Sequence, residues 1–334
     1  MSVTIYEIAE KADVSSSTVS RALRDDAKEV RPGSTARAAD IRRIASELGY
    51  RPNVRARGFS QRRTFGIGML YTDYAWIFEG MNTQVVSSLV RTLQQSGYHL
   101  VFAPIDDSGS WEDIVLGGQI DGCVVFQKLP DHVDDALRDR QLPIVLLGDD
   151  SDPEVSRVVV DDFAGAYAAT KHLIGLGHKR IGYYVHDLIK PHCSIDERLR
   201  GYRAALDECG LNRQECLQIP TEDMVHQIVH CDSRPTGIVA YSNFEATVLA
   251  HAMWQYGIGI PGDISIVGFN DLFATRHMTP PLTTVGYDAV RIGEFGAQIV
   301  VGQIESPPED GKPTVTEIKP KLVVRGSTGP PPEE

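Results

Sequence analysis

The sequence predicts an α/β protein in which a small helical segment is followed by two doubly wound parallel sheets. From Phe65 onward, short apolar segments of strand length alternate with amphipathic segments of helix length. This alternation is typical of parallel sheets that are covered by helices on both faces. It runs in two series over about 260 residues, which favours two subdomains that face each other across a cleft.

Eight apolar segments are the strand candidates. They are Phe65–Leu70, His99–Ala103, Gly122–Phe126 and Ile144–Leu147 in the first series, and Arg180–Tyr184, Cys216–Ile219, Gly237–Ala240 and Ile264–Gly268 in the second. Helices are expected in the gaps, at Gly80–Ser96, Phe163–Leu176, Ile195–Cys209 and Asn243–Tyr256. The last residues, 329–334, are rich in proline, which predicts a disordered tail.

The composition is that of a globular protein with a sizeable core. The chain has 334 residues, of which 42% are hydrophobic and 23% charged. No apolar run approaches the ~20 residues that a membrane span requires, and the N-terminus lacks the basic start and apolar core of a secretory signal. The five cysteines are scattered and include no CxxC pair. These features predict reduced thiols and a cytoplasmic location.

The net charge of −12 hides a division along the chain. Residues 1–63 carry 13 basic and 8 acidic side chains, a formal charge of +5, whereas the remaining residues carry −17. A basic head on an acidic body indicates that only the head contacts a polyanion such as nucleic acid.

Within the head, cap residues mark two short helices. Thr4 and Glu7 have the spacing of a capping box at the start of the first helix. The pair Asp13-Val14 predicts a tight turn, after which Ser15 is a suitable N-cap for a second helix that ends near Leu23. A third helix places Ile41, Ile44, Ala45 and Leu48 on one face, which is enough to close a three-helix core.

The second helix is expected to bury Val14, Val19 and Leu23 and to expose Ser16, Ser17, Ser20 and Arg21. Hydroxyl groups beside the free amides of a helix N-terminus suit contacts with phosphates and base edges. A guanidinium group such as that of Arg21 can bind the edge of a guanine. On these residues alone, a helical protein-interaction domain with solvated serines is an equally good interpretation.

The head resembles the DNA-binding headpiece of the lactose-repressor/galactose-repressor (LacI/GalR) family. The resemblance rests on VTIYEIAEKADVSSSTVSRAL followed by LGYRPNVRARGFS, in motif order, spacing and chain position. It implies a helix-turn-helix headpiece at 1–51 and a hinge helix with linker at 52–63, which together bind a palindromic operator. The DNA contacts that the resemblance implies are Ser15, Ser16, Ser17, Ser20 and Arg21, with Tyr6 and Thr18 in support, and Asn53, Ala56, Arg57 and Phe59 in the hinge.

Three features depart from the family pattern. Phe59 stands where a leucine enters the minor groove, although an aromatic wedge can also unstack a base step. Asp13 replaces the usual glycine of the turn, and Asp tolerates left-handed geometry better than most residues. The stretch Arg31–Arg37 is about three residues longer than usual.

The body resembles the same family to about Thr328. GAYAATKHLIGLGHKRIGYY, ERLRGYRAAL, IPGDISIVGFND, TPPLTTV and LVVRGST occur in the family's order. The resemblance implies a periplasmic-binding-protein-like effector and dimerisation domain at 64–328, with one subdomain at 64–161 and 290–320 and the other at 162–289. Three crossings would connect the two subdomains, and the effector would bind between them.

Six effector contacts follow from the resemblance. Arg198 matches the effector-binding arginine, whose fork suits vicinal hydroxyls or a carboxylate. Asp73 and Phe78 lie in the loop after the first strand, where Tyr74 and Trp76 could stack on a sugar or pack the subdomain interface. The remaining contacts are Asp149, Ser242 and Asn270. Since Ser242 and Asn270 differ from the family's residues and Asn270 brings no charge, the resemblance does not extend to a typical hexose or purine pocket.

Other motifs do not support catalysis, a metal or a cofactor. Gly257–Gly262 satisfies GxGxxG but follows a helix and precedes a strand, the reverse of a dinucleotide-binding turn. His226 and His230 beside Cys231, like His186, His192 and Cys193, lack a companion metal motif. The sequence contains no GxSxG and no P-loop. We therefore expect no enzymatic activity.

These observations predict a ligand-responsive transcriptional regulator, most simply a repressor that acts as a homodimer in the cytoplasm with a carbohydrate-like effector. The chain ends without an apolar heptad stretch that would join two dimers. Two alternatives are a solute-binding protein without a DNA role and a sugar-modifying enzyme with a fused helical domain. The first does not explain the basic head, and the second lacks catalytic motifs.

Overall fold

The computed structural model describes residues 3–23, 34–50, 63–73, 77–78, 80–106, 108–187, 191–230, 234–308 and 311–333. These residues divide into two compact units, Met1–Thr64 and Phe65–Glu334. The predicted hinge contacts Asn53, Ala56, Arg57 and Phe59 lie outside the described residues, as do Tyr74, Trp76 and Cys231.

The first unit contains helices α1 (Ile5–Lys11), α2 (Ser16–Leu23) and α3 (Ser34–Glu47). The predicted N-cap of α1 is confirmed, because the backbone N–H of Glu7 donates to Thr4 Oγ1 at 3.4 Å. The Thr4 hydroxyl donates to Glu7 Oε1 at 3.2 Å, which replaces the backbone bond that a complete capping box would make to the glutamate. Asp13 adopts the left-handed conformation that the turn requires, with φ of 50°.

A small apolar core holds these three helices together. Its buried members are Ile8, Ala9, Val19, Ile41, Ile44 and Ala45, and Val14, Leu23 and Leu48 are partly buried against them. The inward face predicted for α2 and α3 is thus the face that packs.

The second unit contains two six-stranded sheets. In the order of pairing, the first sheet consists of β11 (Val315–Ile318), β5 (Ser156–Val160), β4 (Ile144–Leu147), β3 (Gly122–Val125), β1 (Gly66–Tyr71) and β2 (His99–Pro104). The second sheet consists of β12 (Lys321–Val323), β10 (Thr283–Gly286), β9 (Ser265–Phe269), β8 (Gly237–Ala240), β6 (Ile181–His186) and β7 (Gln214–Ile219). All pairings are parallel except that of β10 with β12.

Helices cover the sheets and complete the two lobes. They are α4 (Asn82–Gln95), α5 (Ser110–Val115), α6 (Asp131–Asp139), α7 (Asp162–Gly175), α8 (Cys193–Glu208), α9 (Thr221–His230), α10 (Asn243–Gln255) and α11 (Ala289–Glu305). We call the part built on the first sheet the first lobe and the part built on the second sheet the second lobe. The chain passes between the lobes after β5, after β10 and between β11 and β12. The doubly wound α/β fold predicted from the strand–helix alternation is confirmed.

The eight predicted strands are all present, with ends within about two residues of the prediction. Four strands, β5, β10, β11 and β12, were not predicted. Polar residues interrupt each of these short segments: Ser156 and Arg157 in β5, Thr283 and Thr284 in β10, Thr316 and Glu317 in β11, and Lys321 in β12. Moreover, β11 and β12 lie at sheet edges, where charged residues replace the apolar ones.

The end of the chain, predicted to be disordered, is packed against the second lobe as far as Pro331. The N–H of Gly329 donates to Ser265 Oγ at 3.0 Å, and its carbonyl accepts from His178 Nε2 at 2.9 Å. Pro331 lies against Gly177. These bonds use backbone groups of the tail, so its proline-rich composition gave no sign of them.

Within the described ranges, no helix combines the length and the apolar character that a bilayer crossing demands.

Two glycines let neighbouring helices approach to backbone distance. A Cβ added at Gly293 of α11 would lie 2.2 Å from the carbonyl oxygen of Val85 in α4. A Cβ added at Gly201 of α8 would lie 2.2 Å from the carbonyl oxygen of Phe163 in α7. A side chain at either position would force the helix backbones apart.

We expect Gly293→Ala to lower the free energy of unfolding by about 1–3 kcal/mol, because overpacking displaces α11 from α4. Urea denaturation measures this loss. Gly302→Ala on the same helix is the control, since open space surrounds Gly302; it should be neutral or slightly stabilising because alanine is the better helix former. Equal effects at the two positions would contradict the packing described for Gly293.

Candidate functional site

The first candidate site is the outer face of α2. Ser15, Ser17 and Arg21 are exposed and Ser16, Thr18 and Ser20 are half-buried, whereas Val19 on the opposite side is fully buried. Tyr6 of α1 is 71% exposed. All seven predicted DNA contacts of the headpiece that the structure describes therefore keep solvent-accessible surface.

Hydrogen bonds order the start of α2. Ser15 Oγ accepts from the backbone N–H of Thr18 at 3.2 Å, as expected of an N-cap, and also lies 2.8 Å from Ser17 Oγ. Arg21 Nε donates to the carbonyl of Ser17 at 3.4 Å, and its two terminal nitrogens make no hydrogen bond within the described part of the chain. The face thus presents hydroxyl groups and a guanidinium fork to a partner.

The second candidate site is a cavity of about 740 Å³ between the two lobes. Its wall is built from residues that follow the carboxyl ends of parallel strands, as expected of open α/β sheets. From the first lobe these include Asp73 after β1, Phe126 and Gln127 after β3 and Gly148 after β4, and Asp162 follows β5 where the chain crosses to the second lobe. From the second lobe they include His186 at the end of β6, Tyr241 and Ser242 after β8, and Asn270 after β9.

Arg198 of α8 is the central cation of this cavity. It is only 6% exposed. Its Nε donates to Asp162 Oδ1 at 2.7 Å and its Nη1 to the carbonyl of Tyr241 at 2.8 Å, while its guanidinium carbon lies 3.6 Å from the centre of the Phe269 ring. The third nitrogen, Nη2, makes no hydrogen bond within the described residues, so it is the nitrogen available to a ligand.

Electrostatics keep this arginine charged. Burial lowers the pKa of Arg198, the neighbouring Asp162 carboxylate raises it, and the net direction is upward. Burial raises the pKa of Tyr241 and of Tyr287, so both phenols in the cavity wall stay neutral. The site therefore combines one fixed cation with uncharged aromatic surfaces.

Ser242 uses its hydroxyl within the protein. Its Oγ accepts from the backbone N–H of Phe244 at 3.0 Å and donates to Glu245 Oε2. Glu245 is fully buried, lies in the cavity wall, and its Oε1 has no hydrogen-bond partner within the described residues. Ser242 therefore holds a carboxyl group in the wall of the cavity.

Asn270 lies in a strained turn after β9 and is part of the cavity wall. Its φ of 93° is left-handed, and its Oδ1 is buried without a hydrogen-bond partner in the described residues. The next residue, Asp271, stabilises the turn because its carboxylate accepts from Arg325 Nη2 at 2.6 Å and from Arg276 Nη2 at 3.1 Å. The LVVRGST segment thus contributes Arg325 to the shape of the site.

The structure brings four of the six predicted effector contacts together: Arg198, Asp73, Ser242 and Asn270 all line the cavity. Asp149 lies instead in an adjoining cleft with His192 and Cys193. Phe78 packs on Phe102, with ring centres 5.6 Å apart, and is not among the residues that line the cavity.

Asp149, His192 and Cys193 place three potential ligand atoms within 4.8 Å of one another. The donor set fits a metal poorly. His192 Nδ1 accepts from the backbone N–H of Ser194 at 3.2 Å, which leaves the ring proton on Nε2, 3.6 Å from Asp149 Oδ2. Burial raises the pKa of Cys193 to about 12, and the thiol form is a weak ligand. The cluster acts as a polar bridge between the lobes.

Sequence reasoning missed Asp162 and Glu245. Asp162 carried a signal, because Asp161 and Asp162 directly follow the valines of β5, the strand that went unrecognised. Glu245 carried none: a glutamate in the first turn of a helix is ordinarily solvated, and only the packing of α10 against the second sheet buries it.

Comparisons with known proteins match both parts of the chain. Residues 4–53 match the model of bacterial regulatory proteins of the lacI family, and residues 170–328 match that of periplasmic binding protein-like domains. The HTH-type transcriptional regulator DegA of Bacillus subtilis is 28% identical over 99% of this chain and 99% of its own length.

Two solved structures extend the likeness to the whole fold. A complex of the transcriptional regulator CelR with cellobiose superposes with a TM-score of 0.68 at 25% identity, over 97% of this chain and 99% of that one. The lac repressor dimer bound to operator and the anti-inducer ONPF gives 0.77 at 20% identity, over 98% and 100%. A helix-turn-helix head, a two-lobed body with a cavity at its strand ends, and relatives over the full length lead to one conclusion: this chain belongs to the LacI family of bacterial transcriptional regulators.

Proposed function

We propose that this regulator binds a palindromic operator as a homodimer in the cytoplasm and that a small carbohydrate-like molecule in the cavity controls this binding. The observation that carries the proposal is the presence, in one chain, of an exposed polar face on α2 and of a cavity whose wall offers Arg198 Nη2 to a ligand. In this scheme 1–51 bind DNA, 52–63 form the hinge, and 64–328 bind the effector and the second subunit.

In the headpiece, α2 enters the major groove. Ser15, Ser16, Ser17, Thr18 and Ser20 contact phosphates and base edges with Tyr6 in support, and Arg21 binds the edge of a guanine. The hinge residues Asn53, Ala56 and Arg57 follow the minor groove, where Phe59 acts as the wedge.

In the cavity, Arg198 binds hydroxyl groups of the effector. The regulator that was solved with cellobiose is 25% identical to this chain, which supports a carbohydrate. Asp73 and Asn270 are the further polar contacts, and the rings of Phe126 and Tyr287 in the wall suit the apolar face of a sugar.

We propose no catalytic role for Ser194, His192 and Asp149, although Ser194 contacts His192 and His192 in turn contacts Asp149. Ser194 Oγ is 2.8 Å from His192 Nδ1, but it is also 2.7 Å from the Tyr241 hydroxyl, and Ser194 is only 2% exposed. The hydroxyl of Ser194 is therefore already engaged by two side chains of the protein. The three residues are better explained as the cap of α8 and its bridge to the first lobe.

Arg21→Ala should weaken binding to an operator selected from a random duplex library by about five- to 150-fold, since a bidentate base contact is worth ~1–3 kcal/mol. Binding to unrelated duplexes should change little. Fluorescence anisotropy at fixed salt measures both. Arg43→Ala is the control, because Arg43 is exposed and already pairs with Asp40 and Glu47. Equal losses of Arg21→Ala on operator and unrelated DNA would mean that Arg21 contacts only phosphate.

Arg198→Met should lower the free energy of unfolding by about 3–5 kcal/mol, because it leaves the Asp162 carboxylate buried without a partner. Adding Asp162→Asn should restore most of the loss. Thermal and urea denaturation of the single and double variants give the comparison. Arg203→Met on the same helix breaks a surface pair with Glu215 and should cost about 1 kcal/mol at most.

The double variant also tests the role of the cavity. It should keep operator affinity and lose the response to any sugar that shifts the thermal midpoint of the wild type. A sugar-induced shift that persists in the double variant would show that the ligand binds elsewhere.

A further inference from the structure

Glu245 is a buried acid without a counterion. It is 0% exposed, Ser242 Oγ donates to its Oε2, and Oε1 lacks a hydrogen bond. Glu245 forms no ion pair among the described residues. Arg198, the buried arginine of the cavity, is paired with Asp162 instead. A buried carboxyl oxygen without a donor is costly, and the site that contains it is a ligand cavity.

Glu245 also has a possible structural role as part of the N-terminal cap of α10. Ser242 is the N-cap of α10 and Glu245 follows three residues later, which is the spacing of a capping box. In a complete box the glutamate accepts from the backbone N–H of the N-cap. Here the carboxyl group binds the Ser242 hydroxyl instead, so the box is incomplete and one oxygen is left over.

A second acceptor in the cavity wall, on Asn270, also favours a ligand that donates hydrogen bonds. Asn270 Oδ1, a second acceptor without a partner in the described residues, stands at the end of β9, and Glu245 follows the adjacent strand β8. Both atoms are acceptors, so a ligand rich in N–H and O–H donors would complement them. Asp162 is paired with Arg198, and Asp73 and Glu245 bring two further carboxyl groups to the wall, so these two groups disfavour an anionic ligand beside them.

We propose that the effector is a small hydroxylated amine, such as an amino sugar, whose ammonium group binds Glu245. This inference rests on the proposed role of the cavity as the effector site. The ammonium group supplies the positive charge and the donors that Glu245 lacks, and charge-assisted hydrogen bonds of this kind are the strong ones. Other N–H or O–H groups of the ligand donate to Asn270, and its remaining hydroxyls accept from Arg198 Nη2.

The first test compares the free full-length protein with Glu245→Gln. Glutamine fits a capping box as well as glutamate does, but it removes the unpaired charge. The thermal midpoint of the variant should be equal to or higher than that of the wild type. Glu222→Gln is the control, because Glu222 lies in the first turn of α9 and is exposed. A lower midpoint for Glu245→Gln than for the control would mean that the charge stabilises the fold, and would overturn the proposal.

The second test measures sugar binding by calorimetry with matched pairs: glucosamine against glucose, galactosamine against galactose, and mannosamine against mannose. In at least one pair the amine should bind the wild type about 30-fold more tightly, the worth of one hydrogen bond to a charged group. In Glu245→Gln the preference for the amine over its neutral partner should fall to within about threefold.

The outcomes separate this inference from the proposed function. Neutral sugars that bind as tightly as their amines, or a preference that survives in Glu245→Gln, would overturn the amine proposal and leave the cavity as an effector site. Failure of every sugar to bind would also reject the amine proposal, and the effector role would then fail with it. The contribution of Arg21 to operator binding is measured separately, so it does not depend on either the amine proposal or the effector role of the cavity.

Discussion

The ion pair between Arg198 and Asp162 is the interaction on which the cleft depends. Asp162 begins α7 at the point where the chain first enters the second lobe, and Arg198 lies on α8. The same guanidinium group binds the carbonyl that follows β8 and stacks on Phe269 of β9. One buried cation therefore fixes two helices and two strand ends. The pair can form because Gly201 lets α8 approach the backbone of α7.

The two acidic groups of the wall differ in what they do. Asp162 is neutralised inside the protein, so it shapes the site and orients Arg198 without attracting a ligand. Glu245 is held by Ser242 but not neutralised, so its remaining bonding capacity is directed at the ligand. A buried pair that has lost one member is strongly destabilised, whereas a single buried carboxylate in a cavity can obtain its partner on binding. In this proposal Glu245, whose second oxygen has no partner within the described residues, is the acidic group that recognises the ligand.

Much of this structure could be predicted from the sequence. Continuous apolar strands, the N-cap of α1 and the motif around Arg198 are local patterns. The edge strands β11 and β12 could not be predicted, because short polar segments become strands only when a sheet accepts them. Glu245 and the tail around Gly329 were missed for a related reason: burial and backbone hydrogen bonds depend on distant elements. Asp149 lies in the adjoining cleft, one residue beyond the cavity wall at Gly148, a difference that sequence spacing does not resolve.

In the proposed function, occupation of the cavity and binding of DNA by the headpiece are coupled. Linkage requires that a ligand which alters operator affinity must itself bind with a different affinity when operator is present. The most direct test is calorimetric titration of a cavity-binding sugar into the full-length protein, alone and saturated with operator duplex. The account predicts dissociation constants that differ by at least about fivefold. Identical constants in the two titrations would contradict it.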